Sequence, residues 1–151
     1  MPVAKLKEFL DANAVKYVSI SHSRAFTAME VAESAHVQGK EMAKAVMLRL
    51  DGQMAMAVLP ANQKVNLDLL RKGTGATSLE LAHEQDFRSD FPGCEVGAMP
   101  PFGNLYGMKV FVEPRLAADR VIAFNAGSHT ELIQMAYKDF ERLVKPTLVP
   151  M

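Results

Sequence analysis

Three short stretches of this chain carry groups whose chemistry calls for an explanation. The first is Lys44, within Ala43-Lys44-Ala45-Val46-Met47-Leu48-Arg49-Leu50. Side chains of a strand alternate between faces, so Lys44 shares a face with Val46, Leu48 and Leu50. An ammonium at the rim of an apolar face resists burial unless it is paired. The plain alternative is a lysine that carries its charge to water from a strand end.

The second stretch is Gly97-Ala98-Met99-Pro100-Pro101-Phe102-Gly103. Two prolines fix φ, while a glycine at either end permits unusual angles or close approach. A rigid loop with exposed amides can surround a carbonyl oxygen or a phosphate with fixed donors, although the same composition also makes an ordinary structural turn. The third stretch is Asn125-Ala126-Gly127-Ser128-His129, following the apolar strand expected to end at Phe124. Gly127 frees the backbone there, and His129 could orient a hydroxyl or move a proton near neutral pH.

Other chemistries find less support. A Ser128/His129 or Cys94/His129 nucleophile pair lacks a third orienting residue in the sequence. The four histidines include no His-x-x-x-His pair, so no metal and no cofactor is expected. There is also no glycine-rich phosphate loop followed by Lys-Ser/Thr. Met99, in the rigid loop, could line an adaptable pocket.

The elements that must position these residues follow from periodicity. Apolar Leu6, Phe9, Leu10 and Ala14 recur at helical spacing from Lys5 to Ala14, and Lys16 to Ile20 has strand composition. Thr27 and Glu30 have the spacing of a capping box, predicting a helix from Ala28 to Ala35. Ala43 to Leu50 and Gln53 to Leu59 are predicted to form a hairpin across Asp51-Gly52. Asn66 is a cap for a short helix through Leu67, Leu70 and Arg71, and a brief strand is expected near Thr77 to Leu81. A helix over Glu84 to Asp90 should stop before Pro92-Gly93, and Cys94 to Gly103 should be loop. Strands are expected at Met108 to Val112, Arg120 to Phe124 and Glu131 to Met135, the last short enough to leave a helix open. A helix from Lys138 to Val144 ends before Pro146.

Helices scattered among hairpin-connected strands favour a mixed α+β fold: one domain over residues 1–151 with a mostly antiparallel, mixed sheet. The length of 151 residues fits one domain, and 49% hydrophobic with 23% charged residues is ordinary for a globular protein. No apolar run approaches a membrane span and no secretory signal pattern opens the chain, so the cytoplasm is the expected compartment. The single Cys94 cannot form an internal disulfide. Seventeen basic residues balance seventeen acidic ones, so composition gives no global footprint for a phosphate backbone, although a few local cations could still grip an RNA end.

Taken in order, Lys44 before Asp51-Gly52, the Gly97 to Gly103 loop and Gly127-Ser128-His129 resemble the YbaK/prolyl-tRNA synthetase-associated domain family. The most specific part is Glu95-Val96-Gly97-Ala98-Met99-Pro100-Pro101-Phe102-Gly103, supported by Thr27-Ala28 and Ala57-Val58-Leu59-Pro60. The resemblance runs from the first helix to about Pro146 and implies a curved, barrel-like mixed sheet flanked by helices. It implies hydrolysis, in trans, of the ester joining a small amino acid (Ala, Ser, Thr or Cys) to the terminal adenosine of a mischarged tRNA, with tRNA-Pro the expected body. The family generally uses neither metal nor covalent nucleophile, and the RNA's terminal hydroxyl helps to activate water.

By the same resemblance, Lys44, Gly97 and His129 are the catalytic candidates. Ala45, Ala98, Met99, Pro100, Pro101, Phe102, Gly103, Gly127 and Ser128 are the candidates for substrate binding. Lys44 would place the aminoacyl end or the adenosine, and the loop backbone would hold the carbonyl as it becomes tetrahedral. The implied partners are the acceptor end of an aminoacyl-tRNA and a synthetase as escort, with no membrane and no DNA. Two alternatives stand beside this: a noncatalytic tRNA-binding module with the same fold, and a hydrolase of some other small acyl ester.

Overall fold

The computed structural model describes residues 4–25, 27–95 and 97–151. Helix α1 (Ala4–Ala12) buries Leu6 and Leu10 and leads into β1 (Tyr17–Ser21). Helix α2 (Ala28–Ser34) starts with the expected capping box: the Thr27 hydroxyl accepts from the Glu30 amide, and the Glu30 carboxylate accepts from the Thr27 amide, each at 3.1 Å. Strands β2 (Met42–Leu50) and β3 (Gln53–Pro60) form the hairpin, with Asp51 at φ 50° and Gly52 at φ 83° making its turn.

Helix α3 (Leu67–Thr74) is capped by the Asn66 side chain and followed by β4 (Leu79–Leu81) and α4 (Glu84–Phe87). A 3₁₀ turn over Gly103–Tyr106 precedes β5 (Lys109–Val112), and α5 (Pro114–Ala117) follows it. Then come β6 (Val121–Ser128), β7 (Glu131–Ala136), α6 (Tyr137–Val144) and β8 (Thr147–Leu148). The sequence reading placed Glu131 to Met135 as strand or helix, and it is a strand; it did not foresee α5 or β8.

The strands form one mixed sheet in the order β1-β7-β6-β2-β3-β5-β8, with β4 added to β2. Pairs β1·β7, β6·β7, β2·β3 and β2·β4 are antiparallel; β2·β6, β3·β5 and β5·β8 are parallel. The sheet curls into a half-barrel. Its larger core holds Leu6, Leu10, Met47, Val58, Phe102, Phe124 and Phe140. On the other face lie two smaller clusters, one under α3 around Leu48, Leu59 and Leu70, the other under α2 around Val31, Met42, Ala123 and Leu132. Both faces of β2 are therefore covered. Ala43 and Met47 enter the larger core, while Val46 and Leu48, on the Lys44 face, belong to a smaller cluster.

Candidate active site

The site begins where two strands part. Strands β2 and β6 pair only at Met42 with Ala123 and Ala43 with Phe124. The next position in that register would set Lys44 beside Asn125, and there the ladder stops. The same edge of β2 is taken up again at Leu48 by β4, with the Ala82 amide donating to the Met47 carbonyl at 3.0 Å. A gap is left opposite Lys44, Ala45 and Val46.

A loop enters on the other side of the parting. The Glu95 amide donates to the Gly127 carbonyl at 2.7 Å, and the Gly127 amide donates to the Ala98 carbonyl at 2.9 Å. Beyond Phe124, the loop thus takes up β6 backbone groups where β2 no longer does. Strand β6 itself runs through Ser128, four residues past the expected end, with an irregularity in its pairing between Asn125 and Ser128. Residues expected in a connection are held by the sheet, and the irregularity turns Gly127 to the loop.

Gly97 has φ +86°, a conformation that L side chains rarely adopt, and a Cβ placed on it would sit 3.4 Å from Cε1 of His129. His129 is 5% exposed. Its backbone amide donates to Glu95 Oε2 at 3.3 Å, its Nε2 lies 3.8 Å from the same oxygen, and Arg24 Nη2 donates to it at 3.1 Å. Glu95 therefore ties three segments together: the approach to α2, the loop and the β6–β7 turn. The sequence reading named Glu95 only as part of its motif, with no role, and passed over Arg24.

The loop offers few donors. Pro100 and Pro101 have no N–H, and the Ala98 amide is held by the Glu95 carbonyl at 3.1 Å. The Gly97 amide faces the Met99 sulfur at 3.2 Å, a weak acceptor easily exchanged for an oxyanion. Lys44 is half-buried. Its ammonium is pushed below the usual lysine range first by burial and then by the like charge of Lys64.

The other candidates occupy varied places. Ala45 lies on the gap. Ala98, Met99, Pro100 and Pro101 are buried, Met99 within the larger core. Phe102 is wholly inside that core, its ring 5.4 Å from Phe124 and 5.3 Å from Phe140, and so anchors the loop. Gly103 is buried where a Cβ would meet Val110 Cγ2 at 2.8 Å. The Ser128 hydroxyl lies 3.3 Å from that of Thr130 and accepts from the Thr130 amide, shaping the β6–β7 turn. The Cys94 sulfur turns to the Tyr106 hydroxyl at 4.0 Å, and burial pushes its thiol up. That disfavours the thiolate a nucleophile needs. Among the described residues, no group of three His, Cys, Asp or Glu could hold a metal ion, and no helix is long and apolar enough to cross a membrane.

A stretch 32% identical to the Multifunctional Ser/Thr-tRNA deacylase ProXp-y of Escherichia coli strain K12 extends over 113 residues, 71% of this chain and 66% of that protein. The match therefore spans just under two thirds of the relative's length. The same protein of Escherichia coli O157:H7 matches equally. Among solved structures, the hypothetical protein APE2540 superposes with a TM-score of 0.84 at 18% identity, covering 97% of both chains. A candidate trans-editing enzyme for prolyl tRNA synthetase gives 0.81 at 16%, covering 97% of this chain and 93% of the other. These two likenesses establish the fold. The aminoacyl-tRNA editing domain model matches residues 22–143, from the approach to α2 into α6, and the chain belongs to that family.

Proposed function

We propose that this chain hydrolyses the ester between a small amino acid and the terminal adenosine of a mischarged tRNA, acting in trans on aminoacyl-tRNA in the cytoplasm. The observation that carries the reading is the meeting of Gly97 and His129 beside the gap that holds Lys44. Water adds to the ester carbonyl, the oxyanion takes a hydrogen bond from the Gly97 amide, and the carbon–oxygen bond to the ribose breaks. The electron pair leaves with the ribose oxygen, which takes a proton. The products are free amino acid and uncharged tRNA. Oxyanion donors of this kind contribute about 10²- to 10³-fold each.

Lys44 holds the ribose or phosphate side of the ester by a charge-assisted hydrogen bond, and His129 walls the reacting carbonyl. The terminal ribose hydroxyl assists the water, since neither nucleophile weighed from the sequence stands ready: the Ser128 hydroxyl serves the turn and the Cys94 thiol faces Tyr106. The relative's name favours seryl and threonyl esters as first substrates, and the prolyl-synthetase neighbour favours tRNA-Pro as the body with a synthetase as escort. A chain of zero net charge suits recognition concentrated at the acceptor end.

The test compares seryl-tRNA with a seryl ester of a simple alcohol. Turnover of the tRNA ester and not of the simple one supports the reading. Equal turnover of both makes the chain a general acyl-ester hydrolase, and saturable tRNA binding without turnover makes it a binding module.

A further inference from the structure

Lys44 stands on a seam between two apolar clusters. On its face of β2, Met42 belongs to the cluster under α2, while Val46 and Leu48 belong to the one under α3. The chain crosses the same seam after β3: Ala61 packs in the first cluster, Val65 and Leu67 pack against the second, and Lys64 lies between them. Both ends of that connection are tied, since the Ala61 amide donates to the Met42 carbonyl at 2.7 Å and the Asn66 amide to the Met151 carbonyl at 2.8 Å. Lys64 is thereby held where Lys44 feels its charge: burial first and Lys64 second push the Lys44 ammonium below the usual lysine range. Among the described residues no ion pair includes either lysine. Two cations with no carboxylate paired to them make a local positive patch on a chain of zero net charge. A like charge beside a half-buried ammonium costs stability unless an anion joins the two.

We propose that Lys44 and Lys64 together clamp the last phosphodiester of the tRNA, the one that joins the terminal adenosine to the nucleotide before it. The inference rests on the deacylase reading above and adds Lys64 as a substrate-positioning residue. The substrate's own chemistry names the group. Its ester, ribose and adenine are uncharged and its α-ammonium is a cation, so within the terminal aminoacyl nucleotide only the phosphate attracts two lysines. The same pair repels the α-ammonium, which leaves the aminoacyl end for the wall formed by Gly97 and His129. Half-buried Lys44 holds the phosphate at close range, while exposed Lys64 adds an attraction that salt screens.

The experiment measures kcat and KM at low salt for seryl-tRNA and for the same RNA with a neutral methylphosphonate in place of the last phosphodiester. It uses the wild type, Lys64→Gln and Lys64→Arg, with the thermal midpoint of each. On the natural RNA, Lys64→Gln should raise KM about 5-fold and leave kcat nearly unchanged, since a charge remote from the carbonyl binds substrate and transition state alike. Arginine should keep the wild-type KM, and the midpoints should agree, because Lys64 has no ion pair among the described residues to lose. The neutral linkage should raise the wild-type KM at least as far, and Lys64→Gln should then add less than about twofold. An equal rise on both RNAs, or no rise on the natural one, overturns the proposal while leaving the deacylase reading intact. A wild type that cleaves neither RNA overturns both.

Discussion

A Cβ on Gly97 would meet the imidazole of His129 at 3.4 Å, so the glycine that opens the proline loop and the histidine of the β6–β7 turn stand as one wall. The φ of +86° at Gly97 makes that approach costly for any other residue. Gly97→Ala should lower stability by roughly 1 kcal/mol and deacylation by at least 10-fold, the second loss exceeding what unfolding explains. Urea unfolding and initial rates on the same preparation separate the two. Activity within twofold of wild type would show that the reaction does not depend on the left-handed backbone at Gly97.

Glu95 joins Arg24 and His129, yet the Arg24 pair is exposed, its side chains 53% and 38% accessible. Exposed pairs contribute about 1 kcal/mol or less. Glu95→Ala should therefore change the unfolding midpoint little while lowering kcat more than it raises KM, because the histidine loses the carboxylate that fixes its place. A large stability loss with normal kcat in the folded fraction would make Glu95 a structural residue only.

Lys44 has an ammonium held below the usual range by burial and by Lys64. If the charged form binds substrate, kcat/KM should fall on the alkaline side at a lower pH than an ordinary lysine would give. Lys64→Gln should move that limb upward. The stability effect has the opposite sense. The folded form binds fewer protons than the unfolded one between the lowered and the ordinary lysine values, so across that window Lys44 makes stability rise with pH. A limb unmoved by Lys64→Gln would separate it from Lys44.

Cys94 gives a clean control. Its thiol is pushed up by burial and turned to Tyr106, so alkylation near neutral pH should be slow and Cys94→Ala should deacylate at the wild-type rate. Rate loss in a stable Cys94→Ala would revive a thiol mechanism.

Phe102 anchors the loop from inside the larger core. Phe102→Ala should cost about 3 to 5 kcal/mol by denaturant unfolding, and Phe102→Leu much less. A loss under 1 kcal/mol from the alanine variant would mean that the loop is held by its backbone alone.

What could be read in the chain beforehand was whatever is local. The Asp51-Gly52 hairpin and the Thr27/Glu30 cap announce themselves because partner residues lie within a few positions, and both formed as expected. Helix α5 carried a signal too, since Glu113 caps a helix whose first residue is Pro114, but its four residues give no periodicity to notice. Strand β8 is two residues long and exists because Val149 and Met151 beyond it cover the small cluster at Phe111. The parting of β2 from β6 is set by register between strands distant in sequence, so Asn125 read as the start of a connection. Glu95 lay in the recognised motif, but Arg24 and His129, which give it a role, come from other elements.

The most direct measurement is deacylation of Ala-, Ser-, Thr-, Cys- and Pro-charged tRNAs by the wild type and by Lys44→Ala, with folding of the variant checked by thermal unfolding. The account predicts rapid loss of seryl and threonyl esters, abolished by a substitution that leaves the fold in place. Spontaneous rates for every ester with the wild type, or full activity in Lys44→Ala, would contradict it.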